Sequence, residues 1–247
     1  MEEKINISEI QEVEILDIAD IKTRVTKIIY KAINIYIAKL KYGYLEPEKE
    51  ATFQHNLAKI IDDLLQSEIY AIGEKFIVSL EYNIPLVDKN NNRHNNYVDI
   101  VIRYFNNNEE LLFPIELKFK NIYQNNFVYT ENVNIYFDLQ TLNNLMDRSE
   151  IAKSFFIFFT NDEKYTNQAK PHSGQLYATH MFKIYKKSKY DISNNETKKW
   201  LEETKNWKKE WLPFVFDYDF SIFYKTFEIK KLDKSERYWY FINEFDK

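Results

Sequence analysis

The stretch Tyr97–Lys120, "YVDIVIRYFNNNEELLFPIELKFK", alternates apolar and polar side chains on both sides of an asparagine run, the pattern of two strands and a tight turn. Asparagine tolerates the positive φ of a two-residue hairpin loop, so Asn107 and Asn108 are the expected turn. Counting outward from that turn pairs Asn106 with Glu109 and, further along, sets Asp99 opposite Glu116. Directly opposed residues of an antiparallel pair share a face, with Cβ atoms about 4.5 to 5.5 Å apart. The two carboxylates should therefore converge. The strand period of two adds Lys118 and Lys120 to the face of Glu116 and turns Ile115, Leu117 and Phe119 into the core.

The elements around this hairpin predict an α/β architecture. Ile21, Val25, Ile28, Ile29, Ala32 and Ile35 recur at helical spacing, with Gly43 as a stop. Phe53, Leu57, Ile60, Ile61 and Leu64 repeat the pattern after Pro47 and leave Glu50, Gln54 and His55 off the apolar stripe. "EKFIVSLEYNIPL" reads as β-rich and "DKNNNRHNN" as a polar loop. Beyond the hairpin, "NVNIYFDLQTLNNLMDRSEIA" returns to helical spacing, and "KSFFIFFTND" is a continuous apolar run, expected to be a central strand covered on both faces. The tail alternates weaker strands, "MFKIYKK" and "RYWYFINEF", with a charged helix, "NNETKKWLEETKNWKKEW". No internal repeat or linker interrupts the 247 residues, so one domain is expected, with a core at about 48–165 and a C-terminal elaboration at about 166–247.

The absence of cysteine excludes a disulfide scaffold, a thiolate zinc site and a cysteine nucleophile. Three glycines, Gly43, Gly73 and Gly174, are too far apart for a phosphate-cradling loop. The four histidines, His55, His94, His172 and His180, show no HExxH spacing. An acidic start without a basic and apolar leader, and no apolar run of membrane-spanning length, lead us to expect a cytoplasmic protein with no membrane association. A net charge of -4 argues against indiscriminate coating of nucleic acid but permits a local basic groove.

Two facing carboxylates repel unless a proton or cation lies between them. Mg²⁺ suits such a pair, because it takes oxygen ligands, keeps several waters and commonly uses only one or two carboxylates. A neighbouring lysine can orient an attacking water or help deprotonate it, and can stabilise charge growing on a phosphate. Asp99 followed by Glu116-Leu117-Lys118 on the next strand resembles the signature of the PD-(D/E)xK nuclease superfamily, the restriction endonuclease-like proteins. The resemblance covers about Glu48 to Asp162, and Val98 stands where the signature has proline.

The resemblance implies a three-layer core with a mixed central sheet between helices. It implies Mg²⁺-dependent cleavage of DNA, with Mn²⁺ able to substitute, in restriction or defence against foreign DNA. Asp99, Glu116 and the Leu117 carbonyl would ligate the metal, and Lys118 would serve the water. Glu50 is similar to a helix-borne glutamate that some members add, and Gln140 to a residue placed near substrate phosphate. A homodimer or a partner subunit is compatible with such a nuclease. The alternative is a catalytically inactive nucleic-acid-binding or protein-interaction module on the same fold.

Plainer readings apply to some of these residues. Glu50 reads equally as a residue that suits the positive end of a helix, and Gln140 reads first as ordinary helix surface. Trp200, Trp207 and Trp211, set among lysines, could stack bases, but an amphipathic helix with a solvated basic face explains them as well. "FTND", ending at Asp162, reads as a strand end with a cap.

Overall fold

The computed structural model describes residues 18–46, 49–67, 73–87, 93–106, 109–122, 128–165, 188–190, 220–222, 225–230 and 235–247. The elements are α1 (Ile18–Lys41), α2 (Glu50–Leu65), β1 (Lys75–Asn83), β2 (Leu86–Val87), β3 (Arg93–His94), β4 (Tyr97–Asn106), β5 (Glu109–Lys120), α3 (Val128–Leu145), β6 (Ser154–Thr160), β7 (Ser188–Tyr190), β8 (Phe220–Ile222), β9 (Lys225–Lys230) and β10 (Ser235–Phe245). Six strands form one mixed sheet in the order β1-β4-β5-β6-β10-β9. All neighbours are antiparallel except β5 and β6, which run parallel and are joined through α3. A parallel pair needs such a crossover, because a tight turn cannot return the chain to the same end of the sheet. The sheet thus takes strands from both sides of the boundary expected near residue 165.

The two faces of the sheet bury two apolar clusters. On one, Val25, Ile29, Phe53 and Leu57 of α1 and α2 pack against Ile100, Ile115, Leu117, Phe119, Ile157 and Phe159. On the other, Ile135, Leu139, Leu142 and Leu145 of α3 pack with Val101, Leu112, Phe156, Phe158 and Phe241. Strand β6 lies between β5 and β10 and all its residues are buried, as its unbroken apolar run requires. Phe159 anchors the first cluster, with ring centroids 5.0 Å from Phe53, 5.9 Å from Tyr36 and 5.1 Å from Tyr240. Such pairs contribute about 0.5 to 1.5 kcal/mol each beyond their buried area.

Gly43 ends α1 with φ of 73°, which lets the Tyr44 N–H return to the Lys39 carbonyl at 2.9 Å. A buried ion pair fixes the start of the sheet to α1: Arg24 donates Nη1 and Nη2 to Glu74 Oε1 and Oε2 at 2.8 and 3.2 Å, and the Tyr104 hydroxyl donates to Glu74 Oε1 at 2.8 Å.

Three sequence expectations change. The polar loop after β1 contains a two-residue strand, β3, whose His94 pairs with Leu86. Helix α3 begins at Val128, ahead of its apolar stripe. The strand expected to be weak, β10, spans Ser235–Phe245 and is an inner strand of the sheet, paired to both β6 and β9. The Asn107–Asn108 turn, "MFKIYKK", the charged helix with Trp200, Trp207 and Trp211, and His172 and His180 lie outside the described residues. No helix among the described residues is long and apolar enough to cross a membrane.

Candidate metal and catalytic site

The β4–β5 ladder runs from Asn106 opposite Glu109 to Ile100 opposite Ile115, the register a two-residue turn dictates. The next position in that register places Asp99 opposite Glu116. Here a side chain replaces the backbone partner: Leu117 donates its N–H to Asp99 Oδ2 at 2.7 Å. One step on, Phe119 donates its N–H to Glu50 Oε2 at 3.1 Å, from the first turn of α2. Both β5 amides are thus satisfied by carboxylates where β4 no longer serves them. A residue's N–H and C=O point to the same side of a strand, so the Leu117 carbonyl also faces the opening beside Asp99.

The other edge of β4 is irregular at the same level. The β1 ladder pairs Leu80 with Ile100 and Tyr82 with Val98, and between them Glu81 adopts φ of 48°. Gln54 of α2 spans this irregularity, donating Nε2 to Glu81 Oε1 at 2.8 Å and to the Asp99 carbonyl at 2.7 Å. Asp99 is therefore held by main chain and side chain together.

Asp99 and Glu116 lie within hydrogen-bonding reach of each other. Burial raises the pKa of both, and their mutual repulsion adds to the rise at Glu116, which stands well above the usual carboxylate range. Lys118, on the same face of β5, has its ammonium 3.4 Å from Glu50 Oε1 and 3.3 Å from Asp138 Oδ2. Burial alone would pull its pKa down, but Asp138, Glu50, Glu116 and Asp99 outweigh that and hold it above the ordinary lysine range. The shift favours the ammonium, which donates hydrogen bonds and positive charge. Lys120 adds a weaker contact to Glu50 Oε2, at 3.8 Å.

Asp138 is the member of this cluster that sequence reasoning missed. Its pKa is pushed up to about 6, chiefly by burial. A signal was present: Asp138 sits three residues after Ile135 and four before Leu142, so it occupies the core-facing stripe of α3, where an ionised group is costly unless paired. Gln140 lies two residues on, turned by about 200° around the helix. It is 2% exposed and donates Nε2 to Asn144 Oδ1 at 3.0 Å. His55 is exposed on α2. At the end of β6, Thr160 Oγ1 accepts the Asp162 N–H at 2.9 Å, the strand-end cap expected of "FTND".

The donor set suits a hard divalent cation. Asp99, Glu116, Glu50 and Asp138, fully ionised, carry four negative charges against two positive ones from Lys118 and Lys120, an excess that a dication neutralises. Among the described residues no three histidine, aspartate or glutamate side chains form a ready-made metal cage. Mg²⁺ held by two carboxylates, with water and substrate completing its shell, needs none. No protein-family model matches the chain, and neither a curated protein nor a solved structure is significantly similar to it.

Proposed function

We propose that the chain is a divalent-metal-dependent nuclease that hydrolyses phosphodiester bonds in DNA, on a restriction endonuclease-like core of the PD-(D/E)xK type. The observation that carries this reading is the convergence of Asp99 and Glu116, with the Lys118 ammonium on the same face, where the β4–β5 ladder opens. Asp99, Glu116 and the Leu117 carbonyl would hold Mg²⁺ or Mn²⁺. A bound ion of this kind supplies Lewis acidity to a phosphoryl oxygen and lowers the pKa of water.

The protein's own groups would do the rest. Asp99, fixed through Leu117 and Gln54, keeps its carboxylate facing Glu116 without rearrangement. Lys118 offers a charged donor to orient the attacking water and to offset charge developing on the phosphate. Its partners Glu50 and Asp138 restrict where that charge can go. The setting proposed with this activity, restriction or defence against foreign DNA, rests on the sequence resemblance alone.

Single-turnover cleavage of plasmid and linear DNA in Mg²⁺, with binding measured separately in Ca²⁺, tests the reading. The wild type should cleave, and Lys118→Ala should bind DNA comparably but cleave about 10²- to 10⁴-fold more slowly. A wild type that binds DNA and cleaves none would favour the inactive binding module. Equal saturating rates in both proteins would remove Lys118 from the chemistry.

A further inference from the structure

Lys118 projects from near the C-terminal end of β5 and meets acids from both sides of the sheet. Glu50 belongs to α2, which packs in one apolar cluster, and Asp138 belongs to α3, which packs in the other. A lysine side chain has a four-carbon stem and about 2 kcal/mol of rotamer entropy, so a single contact would leave its ammonium free to swing. Two carboxylates on separate helices restrict it to the space between them. Their surroundings differ. Glu50 is already engaged by the Phe119 N–H and approached by Lys120. Asp138 Oδ2 is sealed from solvent, and among the described residues its close partner is the Lys118 ammonium at 3.3 Å. A carboxylate oxygen buried in this way is costly unless a cation stands beside it.

We propose that Asp138 is a positioning residue whose carboxylate, with its Oδ2 buried 3.3 Å from the Lys118 ammonium, fixes that ammonium beside the Asp99–Glu116 pair. The part of this assignment that concerns hydrolysis rests on the proposed nuclease function; the restraint on Lys118 does not. All the acids facing the ammonium contribute to its charge state, Glu50 from α2, Asp138 from α3, Asp99 from β4 and Glu116 from β5. Asp138 differs in that, among the described residues, the Lys118 ammonium is the one charged group its side chain contacts at short range.

The experiment compares wild type, Asp138→Asn and Asp138→Glu, confirmed as folded by near-ultraviolet circular dichroism. The first readout is the rate at which a small amine-acylating reagent labels Lys118, followed by mass spectrometry at pH 8 to 9. Asp138→Asn weakens one of the two carboxylate contacts that hold the ammonium in place, so the freed side chain should label severalfold faster, and Asp138→Glu close to wild type. A purely structural role for Asp138 would not produce this selective gain at Lys118. The second readout is the saturating single-turnover rate in Mg²⁺ against DNA affinity in Ca²⁺. Misplacement of the ammonium should lower the rate by roughly 10²-fold with little change in affinity, and Asp138→Glu should recover part of it.

Unchanged labelling in Asp138→Asn overturns the assignment whether or not the protein cleaves DNA. Faster labelling with an unchanged cleavage rate overturns the link to hydrolysis. Faster labelling in a chain whose wild type cleaves nothing supports the restraint on Lys118 and counts against the nuclease reading instead.

Discussion

Asp99 Oδ2 accepts the main-chain N–H of Leu117 at 2.7 Å, so the carboxylate that faces Glu116 also closes the β ladder where β4 and β5 part. One side chain serves fold and candidate site together. Asp99→Ala leaves the Leu117 amide without its partner, and a lost hydrogen bond of this kind costs about 1 to 3 kcal/mol. Asp99→Asn keeps an acceptor oxygen at that place and should lose less. Urea denaturation of both variants without metal checks the order, and equal losses would mean that the amide contact contributes nothing to stability.

The raised pKa values of Asp99, Glu116 and Asp138 fix the sign of a pH dependence. A carboxyl whose pKa is higher folded than unfolded binds more protons in the folded state, so stability falls as pH rises between the two values. For Asp138 that window runs from the ordinary aspartate value of 3.8 to about 6, and for Glu116 it begins at the ordinary glutamate value of 4.5 and extends well above. Metal-free protein should therefore melt lower at pH 8 than at pH 5.5. Glu116→Gln should flatten the dependence and raise Tm at pH 8 by roughly 2 to 4 °C for each kcal/mol of repulsion removed. A wild-type Tm that climbs through this range would contradict the shared burial of these acids.

The Arg24–Glu74 pair tests a different part of the fold. Glu74→Ala takes the bidentate carboxylate away from a buried guanidinium and should destabilise by about 3 to 5 kcal/mol. The double variant Arg24→Met with Glu74→Leu removes both charges and should recover much of that loss. Denaturation midpoints measure both, and a double variant no better than Glu74→Ala would show that packing, not the lost ion pair, sets the loss.

The hairpin register was legible because two local rules agree: a two-residue asparagine turn and an alternation that places Ile100 and Ile115 in the core and Asp99 and Glu116 off it. The central position of β6 followed from its unbroken apolar run. Strand β3 was not legible, since two polar residues carry no period and pair with β2 only through tertiary packing. The contacts of Glu50 with Lys118 and Phe119 join positions 68 and 69 residues apart, which no local pattern encodes. Asp138 differs: an acid on an apolar helical stripe is a visible conflict, and the ammonium of Lys118 is its physical resolution.

The claim on which the account turns is that Asp99 and Glu116 together hold one divalent ion. Isothermal titration of Mn²⁺ into wild type, Asp99→Asn and Glu116→Gln, in buffers of different ionisation enthalpy at pH 7, measures it directly. The wild type should bind one ion per chain and release a proton as the cation replaces the hydrogen bond between the two carboxyls. Both variants should lose that binding. Equal affinity in all three proteins would place the ion elsewhere and contradict the account.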